Sequence, residues 1–277
     1  MRSSNGFKIR LIIGLLIAAF AVFQYYSNTS TNEITGEKQH VSITPEQEIQ
    51  LGLDGRDYMI QQSGGLLQDA EIQQYIDQIG AEIVHKSDAS KTPYVYEFHV
   101  LADPNMVNAF AMPGGQIFIT AGLLKRLENV DQLAGVLGHE VAHVVARHSA
   151  QQMAKQNLTS GLVGAAGVVG GDMNSAQYAQ MIANMVNMKY GREDELESDE
   201  LGVRFMVQSG YNPTALIRVM EILDEASGGQ APPEFASTHP SPANRIQKIQ
   251  AAIEKYSNQL PPSAPTQKRE ELPAGSY

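Results

Sequence analysis

The chain of 277 residues contains no cysteine. This absence excludes disulfide bonds, thiol catalysis, a lipid-modified N-terminal cysteine and metal sites with thiolate ligands. Any metal site must therefore use histidine and carboxylate side chains, which suit an open hydrolytic site better than a closed structural one. Because chains without cysteine occur in reducing and oxidising compartments alike, the absence does not locate the protein.

Positive charge is also scarce, since 20 lysines and arginines stand against 30 aspartates and glutamates and give a net charge of −10. We therefore expect no nucleic-acid partner, because nucleic-acid binding requires a basic surface. Solubility is a sufficient explanation of the acidity. A chain of this length can bury a full hydrophobic core in one large domain.

Long apolar runs are absent apart from residues 11–23. This run is short for a membrane-spanning helix, which needs about 17–25 residues, and it is typical of a signal-peptide core. A basic flank precedes it, and Ala19-Phe20-Ala21 is a weak cleavage site. We predict that residues 1–26 form a signal sequence or a membrane anchor, with a buried core helix as the alternative. The polar residues 27–40 are predicted to form a linker.

Residues 131–149, DQLAGVLGHEVAHVVARHS, contain the pattern His-Glu-x-x-His at His139, Glu140 and His143. The surrounding residues are apolar on nearly all sides, which predicts a buried helix. Residues four apart on a helix lie on nearly the same face, so both imidazoles can reach one metal ion. Glu140 can then reach a water molecule as a general base. Two core histidines satisfied by hydrogen bonds are the alternative, and His148, about 140° around the helix from His143, is predicted to face away.

Residues 191–208 are acid-rich and are predicted to form a further helix. Glu195 and Asp199 lie four residues apart and therefore share one face. A metal held by two histidines needs a third protein ligand, which Glu195 can supply. Asp199 could accept the free N–H of a ligating histidine. The alternative is a solvated first turn, in which acids are favoured by the helix macrodipole.

A turn at Pro113-Gly114-Gly115 precedes a predicted strand over residues 116–120. A strand just before a metal-binding helix can lie along a cleft and bind an extended peptide by strand addition. The residues that would form this substrate-binding strand are Gln116, Ile117, Phe118 and Ile119. An ordinary strand within the sheet is equally compatible with the sequence.

The remaining elements follow from capping residues and periodicity. Helices are predicted over residues 44–62, 67–86, 122–127, 213–226 and 241–256, and a strand over residues 94–101. The role of residues 151–190 is left open as a lid, a hairpin or a loop. Within them, the Gly-rich residues 161–171 could form a helical hairpin tip, a lid over the cleft or a loosely packed loop, which is slightly favoured. Residues 175–190 carry a stripe of methionines at helical spacing, which predicts core packing. Residues 257–277 are Pro-rich and are predicted to be a disordered tail.

Four stretches in one order resemble the M48 metallopeptidases, a family that pairs His-Glu-x-x-His with a downstream Glu-x-x-x-Asp. They are GHEVAHVVARH, ELESD, NAFAMPGG and STHPSPANRI. The resemblance covers residues 41–256 and implies an α+β, mostly helical, zincin-like metallopeptidase domain with a small β-sheet flanking the metal-binding helix. It is nearer to minimal periplasmic members than to CAAX-processing members with several membrane spans.

The resemblance also implies one Zn²⁺ per chain, bound by His139, His143 and Glu195. Glu140 would be the catalytic residue, and Asp199 would hold a ligating histidine from behind.

Two later residues belong to the family's His-Pro and Arg element. His239 could stabilise an oxyanion or hold the enzyme latent as an additional ligand, with an ordinary loop histidine as the alternative. Arg245 could polarise the substrate carbonyl or pair with the acid-rich helix.

Together these features predict a zinc-dependent endopeptidase of the bacterial cell envelope that acts on misfolded or unassembled polypeptides. Its expected place is the periplasmic side, either anchored in the inner membrane or released after signal cleavage. A non-enzymatic chaperone or scaffold that retains a zinc site is one competing hypothesis. A structural zinc site with a fourth protein ligand is the other, and the sequence does not predict the oligomeric state.

Overall fold

The structure, a computed structural model, describes residues 3–170, 190–226, 235, 239 and 244–258. The helices are α1 (Ser3–Ser27), α2 (Pro45–Gln62), α3 (Ala70–Lys86), α4 (Ala121–Leu124), α5 (Val130–Val145), α6 (His148–Gly170), α7 (Arg192–Ser209), α8 (Ala215–Ala226) and α9 (Arg245–Ser257). The strands are β1 (Thr29–Thr31), β2 (Lys38–His40), β3 (Glu97–Leu101), β4 (Ala109–Ala111) and β5 (Gln116–Thr120). This architecture confirms the predicted mostly helical α+β class.

The chain divides into two compact units. The first comprises Met1–Thr44 with Ser149–Met188, and the second comprises Pro45–His148 with Lys189–Tyr277. The second unit carries all the side chains predicted to bind a metal. The boundaries predicted from the sequence, with one domain over residues 41–256, remain a prediction.

The first unit is built on α1, whose apolar side chains are largely exposed. Within the described residues, one helix, Gly6–Ser27, is long and apolar enough to cross a membrane, a property that signal sequences share. The predicted linker after it contains structure, because β1 and β2 pair as an antiparallel hairpin. Gly161 on α6 lies so close to α1 that a Cβ there would approach the Cβ of Ala21 to 2.7 Å.

Helix α6 corrects the expectation of a loose loop after the metal-binding motif. The helix runs without interruption through the Gly-rich stretch from Gly161 to Gly170. Glycine lowers helix propensity by about 1 kcal/mol per residue, which explains why the sequence favoured a loop. Residues 175–189, predicted to carry a Met stripe, and the tail beyond residue 258 lie outside the described residues.

The second unit contains a three-stranded sheet with the order β3-β5-β4. Strand β5 is parallel to β3 and antiparallel to β4, and all five of its residues are buried. Because β5 is paired on both sides, it has no free edge for a peptide. The predicted substrate-binding strand of Gln116, Ile117, Phe118 and Ile119 is therefore wrong in this sheet, and the edge strand on the side of α5 is β4.

Helix α5, which carries the His-Glu-x-x-His pattern, packs against α3, α7 and α8 in the second unit. Its N-cap is Asn129, whose side chain accepts a hydrogen bond from the backbone of Gln132, and the helix is buried from Gln132 onward. A Cβ on Gly202 of α7 would lie 3.3 Å from the backbone nitrogen of His139. The missing side chain therefore lets α7 approach α5 closely enough for its acids to reach the histidines.

Most predicted elements form with shifted ends, as expected where capping decides the boundary. Helix α3 begins at Ala70 because the Asp69 side chain accepts hydrogen bonds from the backbone of Glu71 and Ile72. Helix α5 ends at Val145, before the predicted end at residue 149, and this early end reshapes the site.

Candidate metal centre

The side chains of His139, His143, Glu195 and His239 converge on one small volume inside the second unit. One ligand atom from each lies within 4.8 Å of the others, and all four residues are buried. The Nε2 atoms of His139 and His143 are 3.1 Å apart. The two carboxylate oxygens of Glu195 lie 3.4 Å from His139 Nε2 and 3.5 Å from His143 Nε2.

These separations suit a bound metal ion. Ligand atoms about 2.1 Å from a tetrahedral ion lie about 3.4 Å from one another. The observed separations of 3.1, 3.4 and 3.5 Å between nitrogen and oxygen atoms of His139, His143 and Glu195 are close to that value. Glu195 Oε2 is buried and lies 3.2 Å from Arg245 Nη2 in an ion pair. The donor set of two histidine nitrogens and a carboxylate fits a divalent metal.

Glu140 follows His139 on α5 and faces the same volume without joining the ligand group. Its side chain is completely buried, and neither carboxylate oxygen has a hydrogen-bond partner. His239 Nε2, 3.7 Å from Glu140 Oε1, is its neighbour in this volume. A buried carboxylate without a hydrogen-bond partner costs free energy, so its presence calls for an explanation. Its position suits a base that acts on a small molecule beside the ligands.

Asp199 lies behind His139, as the helical spacing predicts. Its Oδ1 atom is 3.0 Å from Nδ1 of His139, the ring nitrogen that is turned towards α7. Arg245 donates two hydrogen bonds to Asp199, of 2.6 Å from Nε and 2.9 Å from Nη2. Its Nη2 is also 3.2 Å from Glu195. Of the two roles considered for Arg245, the structure therefore supports pairing with the acid-rich helix.

His239 lies inside the ligand group, and its side chain is buried. Its Nδ1 atom is 2.9 Å from Glu195 Oε1 and 3.5 Å from His139 Nε2. Phe235 stacks on its ring with centroids 4.4 Å apart, and the Phe235 backbone N–H donates to the carbonyl of Val107 beside β4. His239 is thus positioned to be a fourth ligand.

His148 is the site residue that sequence reasoning missed. It was expected to face away from His143, but its Nδ1 atom lies 2.9 Å from Nδ1 of His143. Helix α5 ends at Val145, and Arg147 adopts a left-handed φ of 57° that turns the chain back. A continuous helix was the wrong premise. The signal available in the sequence was only the presence of a further histidine so close to the motif.

Tyr190 lies against the rings of His143, His148 and His239. Its ring stacks on His143 with centroids 3.9 Å apart, and its hydroxyl donates to the carbonyl of Ala111 on β4. The residue therefore joins the metal-binding helix to the edge strand of the sheet. His99 lies on β3, where its Nε2 is 2.8 Å from Oε1 of Gln116.

The surroundings of the site shift the pKa values of its carboxyl groups in opposite directions. Burial raises the pKa of Glu140 above its ordinary value. Burial would also raise the pKa of Glu195, but the nearby His239 and His139 lower it well below its usual range. Burial likewise opposes ionisation of Asp199, but Arg245 lowers its pKa. Glu195 and Asp199 are therefore held as anions, whereas burial favours the protonated form of Glu140.

Comparisons with known proteins agree with this geometry. The sequence pattern of Peptidase family M48 matches residues 70–253. The beta-barrel assembly-enhancing protease of Escherichia coli (strain K12) is 30% identical over 268 residues, which cover 91% of this chain and 53% of that protein. The mitochondrial metalloendopeptidase OMA1 of Schizosaccharomyces pombe is 32% identical over 248 residues, covering 88% of this chain and 72% of that protein.

The chain spans about half the length of the bacterial relatives that it matches. The match to the family pattern nevertheless extends over more than half of this chain and includes every side chain of the metal centre described above. The resemblance inferred from the four sequence stretches is confirmed: the chain belongs to peptidase family M48.

Proposed function

We propose that this chain is a zinc-dependent endopeptidase of the bacterial cell envelope that cleaves misfolded or unassembled proteins. The observation that carries the proposal is the environment of Glu140. Its carboxylate is buried without a hydrogen-bond partner, directly beside three side chains suited to hold a metal. Membership of a metallopeptidase family supports peptide hydrolysis, and the name of the bacterial relatives supports a role near β-barrel assembly.

His139, His143 and Glu195 would hold the zinc ion. A bound Zn²⁺ supplies Lewis acidity, which lowers the pKa of water towards about 7 and polarises a carbonyl oxygen. Asp199 would accept a hydrogen bond from Nδ1–H of His139, which directs Nε2 of the same ring into the site. Arg245 fixes Asp199 through two hydrogen bonds, so that the carboxylate cannot turn away.

Glu140 would move the proton during hydrolysis. Water attacks the scissile carbonyl carbon and gives one proton to a Glu140 carboxylate oxygen. The same oxygen then delivers that proton to the amine nitrogen as the C–N bond breaks. The raised pKa of Glu140 suits this double role, because the group must accept and release a proton within one turnover.

The substrate would lie along β4 rather than β5. Within the described part of the sheet β4 is an edge strand, and it contacts α5. Backbone groups alternate between the two sides of an antiparallel strand. The hydrogen bonds from Met112 N–H to the Gln116 carbonyl and from Thr120 N–H to the Asn108 carbonyl flank Phe110 on both sides, so Ala109 and Ala111 present backbone groups to the outer side. The Ala111 carbonyl on that side already accepts from the Tyr190 hydroxyl, which leaves the backbone groups of Ala109 for a peptide. An extended peptide paired there would pass beside the metal centre.

His239 would hold the enzyme latent in the conformation described here. It fills the place of a fourth ligand, where its Nδ1 contacts Glu195. Replacement by alanine should keep the three remaining ligands and increase hydrolysis, whereas a role in stabilising the oxyanion predicts a decrease.

The same four-residue group favours a second candidate, a structural zinc site closed by His239. This candidate predicts that His239→Ala loses zinc. Metal analysis of the variant after dialysis therefore separates the two, because latency predicts one retained Zn²⁺ per chain.

The direct test of the proposed function is digestion of casein and of an unfolded outer-membrane protein by the purified full-length chain. We expect cleavage that a zinc chelator abolishes and that added zinc restores. A zinc-loaded protein that cleaves neither substrate, even as the His239→Ala variant, would support the non-enzymatic chaperone or scaffold instead.

A further inference from the structure

His148 lies behind His143 on the side of the ring that does not face the ligand group. Its Nδ1 is 2.9 Å from Nδ1 of His143, while Nε2 of His143 is 3.1 Å from His139. The side chain of His148 is fully buried. The two rings meet nearly at right angles, with an interplanar angle of 71°, so this contact is a hydrogen bond and not a stack.

The other nitrogen of His148 reaches a carboxylate. His148 Nε2 is 3.1 Å from Glu197 Oε2 on α7, and the Ser198 hydroxyl is a further neighbour, 3.2 Å from Nδ1 of His148. A continuous path therefore runs from Glu197 through both nitrogens of His148 to His143. Helix α7 supplies Glu197, the carboxylate at the end of this path, just as it supplies Asp199 for His139.

Hydrogen-bond chemistry fixes the direction of this path. A carboxylate only accepts hydrogen bonds, so the bond to Glu197 places the proton of His148 on Nε2. In the neutral ring Nδ1 of His148 is then an acceptor, and Nδ1 of His143 must carry the proton between them. The lone pair of His143 is left on Nε2, which faces Glu195 and His139.

The backbone turn that presents His148 is held in place by an ion pair between the partly buried Arg147 and the buried Glu48. Arg147 occupies the left-handed region, which an L-residue adopts at a cost of about 1–3 kcal/mol. Its Nε donates a hydrogen bond of 2.8 Å to Glu48 on α2. Glu48 is buried and also accepts from Tyr94. This pairing offsets the cost of the turn that brings His148 back to His143.

We propose that His148 and Glu197 are positioning residues that keep His143 in the tautomer able to bind the metal through Nε2. The proposal rests on the proposed function only in that the centre binds a metal ion. His139 is held by Asp199 directly, and His143 is held by Glu197 through an intervening imidazole. Outer partners of metal-binding histidines commonly change metal affinity by about 10–100-fold when they are removed.

The test is the zinc affinity of the full-length chain in detergent, measured by competition with a chromophoric chelator at neutral pH. His148→Phe keeps a ring but removes the acceptor, and we expect about 10–100-fold weaker zinc binding. Glu197→Gln should also weaken binding, because the new amide can donate to His148 Nε2 and reverse both tautomers. The control is Glu193→Gln, the same change at an exposed position of the same helix, which should leave the affinity unchanged.

A spectroscopic readout separates positioning from a general loss of structure. Nitrogen-15 NMR of labelled histidines in the wild-type chain should report a proton on Nδ1 of His143 and on Nε2 of His148. His148→Gln, whose side chain can accept from His143 and donate to Glu197, should recover part of the affinity lost in His148→Phe. The opposite tautomers in the wild-type chain, or wild-type affinity in both His148→Phe and Glu197→Gln, would overturn the proposal while leaving the peptidase assignment standing. A wild-type chain that binds no zinc would overturn both.

Discussion

At the scale of single residues, the two carboxylates Glu140 and Glu195 face the same buried volume in different states. Glu195 is held as an anion by its histidine neighbours, and Glu140 has a raised pKa and no hydrogen-bond partner. One is suited to bind a cation, and the other to carry a proton. Their roles are therefore separable by substitution.

Replacement of Glu140 by glutamine should leave one zinc ion per chain and reduce the rate of peptide cleavage by about 10²–10⁴-fold, the usual contribution of a general base. The amide fills the same space but cannot take up a proton. Metal analysis and casein cleavage on one preparation measure both effects. Glu193→Gln serves as the control, and turnover at the wild-type rate in zinc-loaded Glu140→Gln would falsify the role of Glu140.

The spacing of residues on regular helices made most of the centre predictable. His139, Glu140 and His143 share one helix, and Glu195 and Asp199 share another. Helical periodicity therefore predicted which side chains of each helix lie on the same face. His148 was missed because its position depends on the left-handed conformation of Arg147, which no local pattern predicts. That the two helices meet was predicted from the family resemblance and from the need of a metal ion for a third protein ligand.

At the scale of elements, the docking of α2 on the turn before β5 depends on an absent side chain. A Cβ on Gly52 would lie 2.1 Å from the backbone carbonyl oxygen of Pro113. We expect Gly52→Ala to lower the free energy of unfolding by about 1–3 kcal/mol, the usual cost of overpacking. Denaturant titration measures the loss. Gly164→Ala on α6 is the control, since nothing lies within 4 Å of its added Cβ, and an equal effect in both variants would contradict this account.

A charged cluster ties the short 3₁₀ helix Asp88–Lys91 to α7. Burial opposes ionisation of Asp88, but hydrogen bonds from Lys91, Gln208 and Arg204 lower its pKa to about 2. Because the folded-state pKa lies below the unfolded value of about 3.9, the stabilisation is complete above pH 4 and is lost as the pH falls towards 2. We expect Asp88→Asn to lose about 2 kcal/mol at pH 7, a typical value for hydrogen bonds to a charged group.

The pH dependence of unfolding provides the check for Asp88. Wild type should lose stability between pH 4 and pH 2, and the difference between wild type and Asp88→Asn should shrink over the same interval. A difference that stays constant down to pH 2 would show that the charge of Asp88 has no part in it.

The sequence predicted whether a segment is a helix or a strand better than it predicted which elements pack or pair with one another. The strand at residues 116–120 was predicted correctly, but its central position in the sheet depends on pairing with β3 and β4, which hydrophobic alternation does not specify. Residues 161–170 are helical although their glycines have low helix propensity. The contact between Gly161 and Ala21 on α1 contributes packing that the local sequence does not reveal.

At the scale of the whole molecule, α1 extends the apolar run seen in the sequence into a helix of 25 residues. Its length is about 37 Å, enough to cross a hydrocarbon core of about 30 Å. We expect the full-length chain to sediment with membranes after carbonate washing and to dissolve only in detergent. Mass spectrometry should then find residue 1 or 2 at its N-terminus. A soluble protein that begins near residue 22 would show instead that the segment is a cleaved signal.

The central claim for the whole molecule is that side chains from α5 and α7, two helices far apart in the sequence, bind one metal ion. Its most direct test is anomalous X-ray scattering at the zinc edge from crystals of the zinc-loaded chain. We predict one peak per chain, about 2.0–2.2 Å from His139 Nε2, His143 Nε2 and a carboxylate oxygen of Glu195. A peak bound elsewhere, or one that contacts the two histidines while Glu195 lies apart from it, would contradict the account.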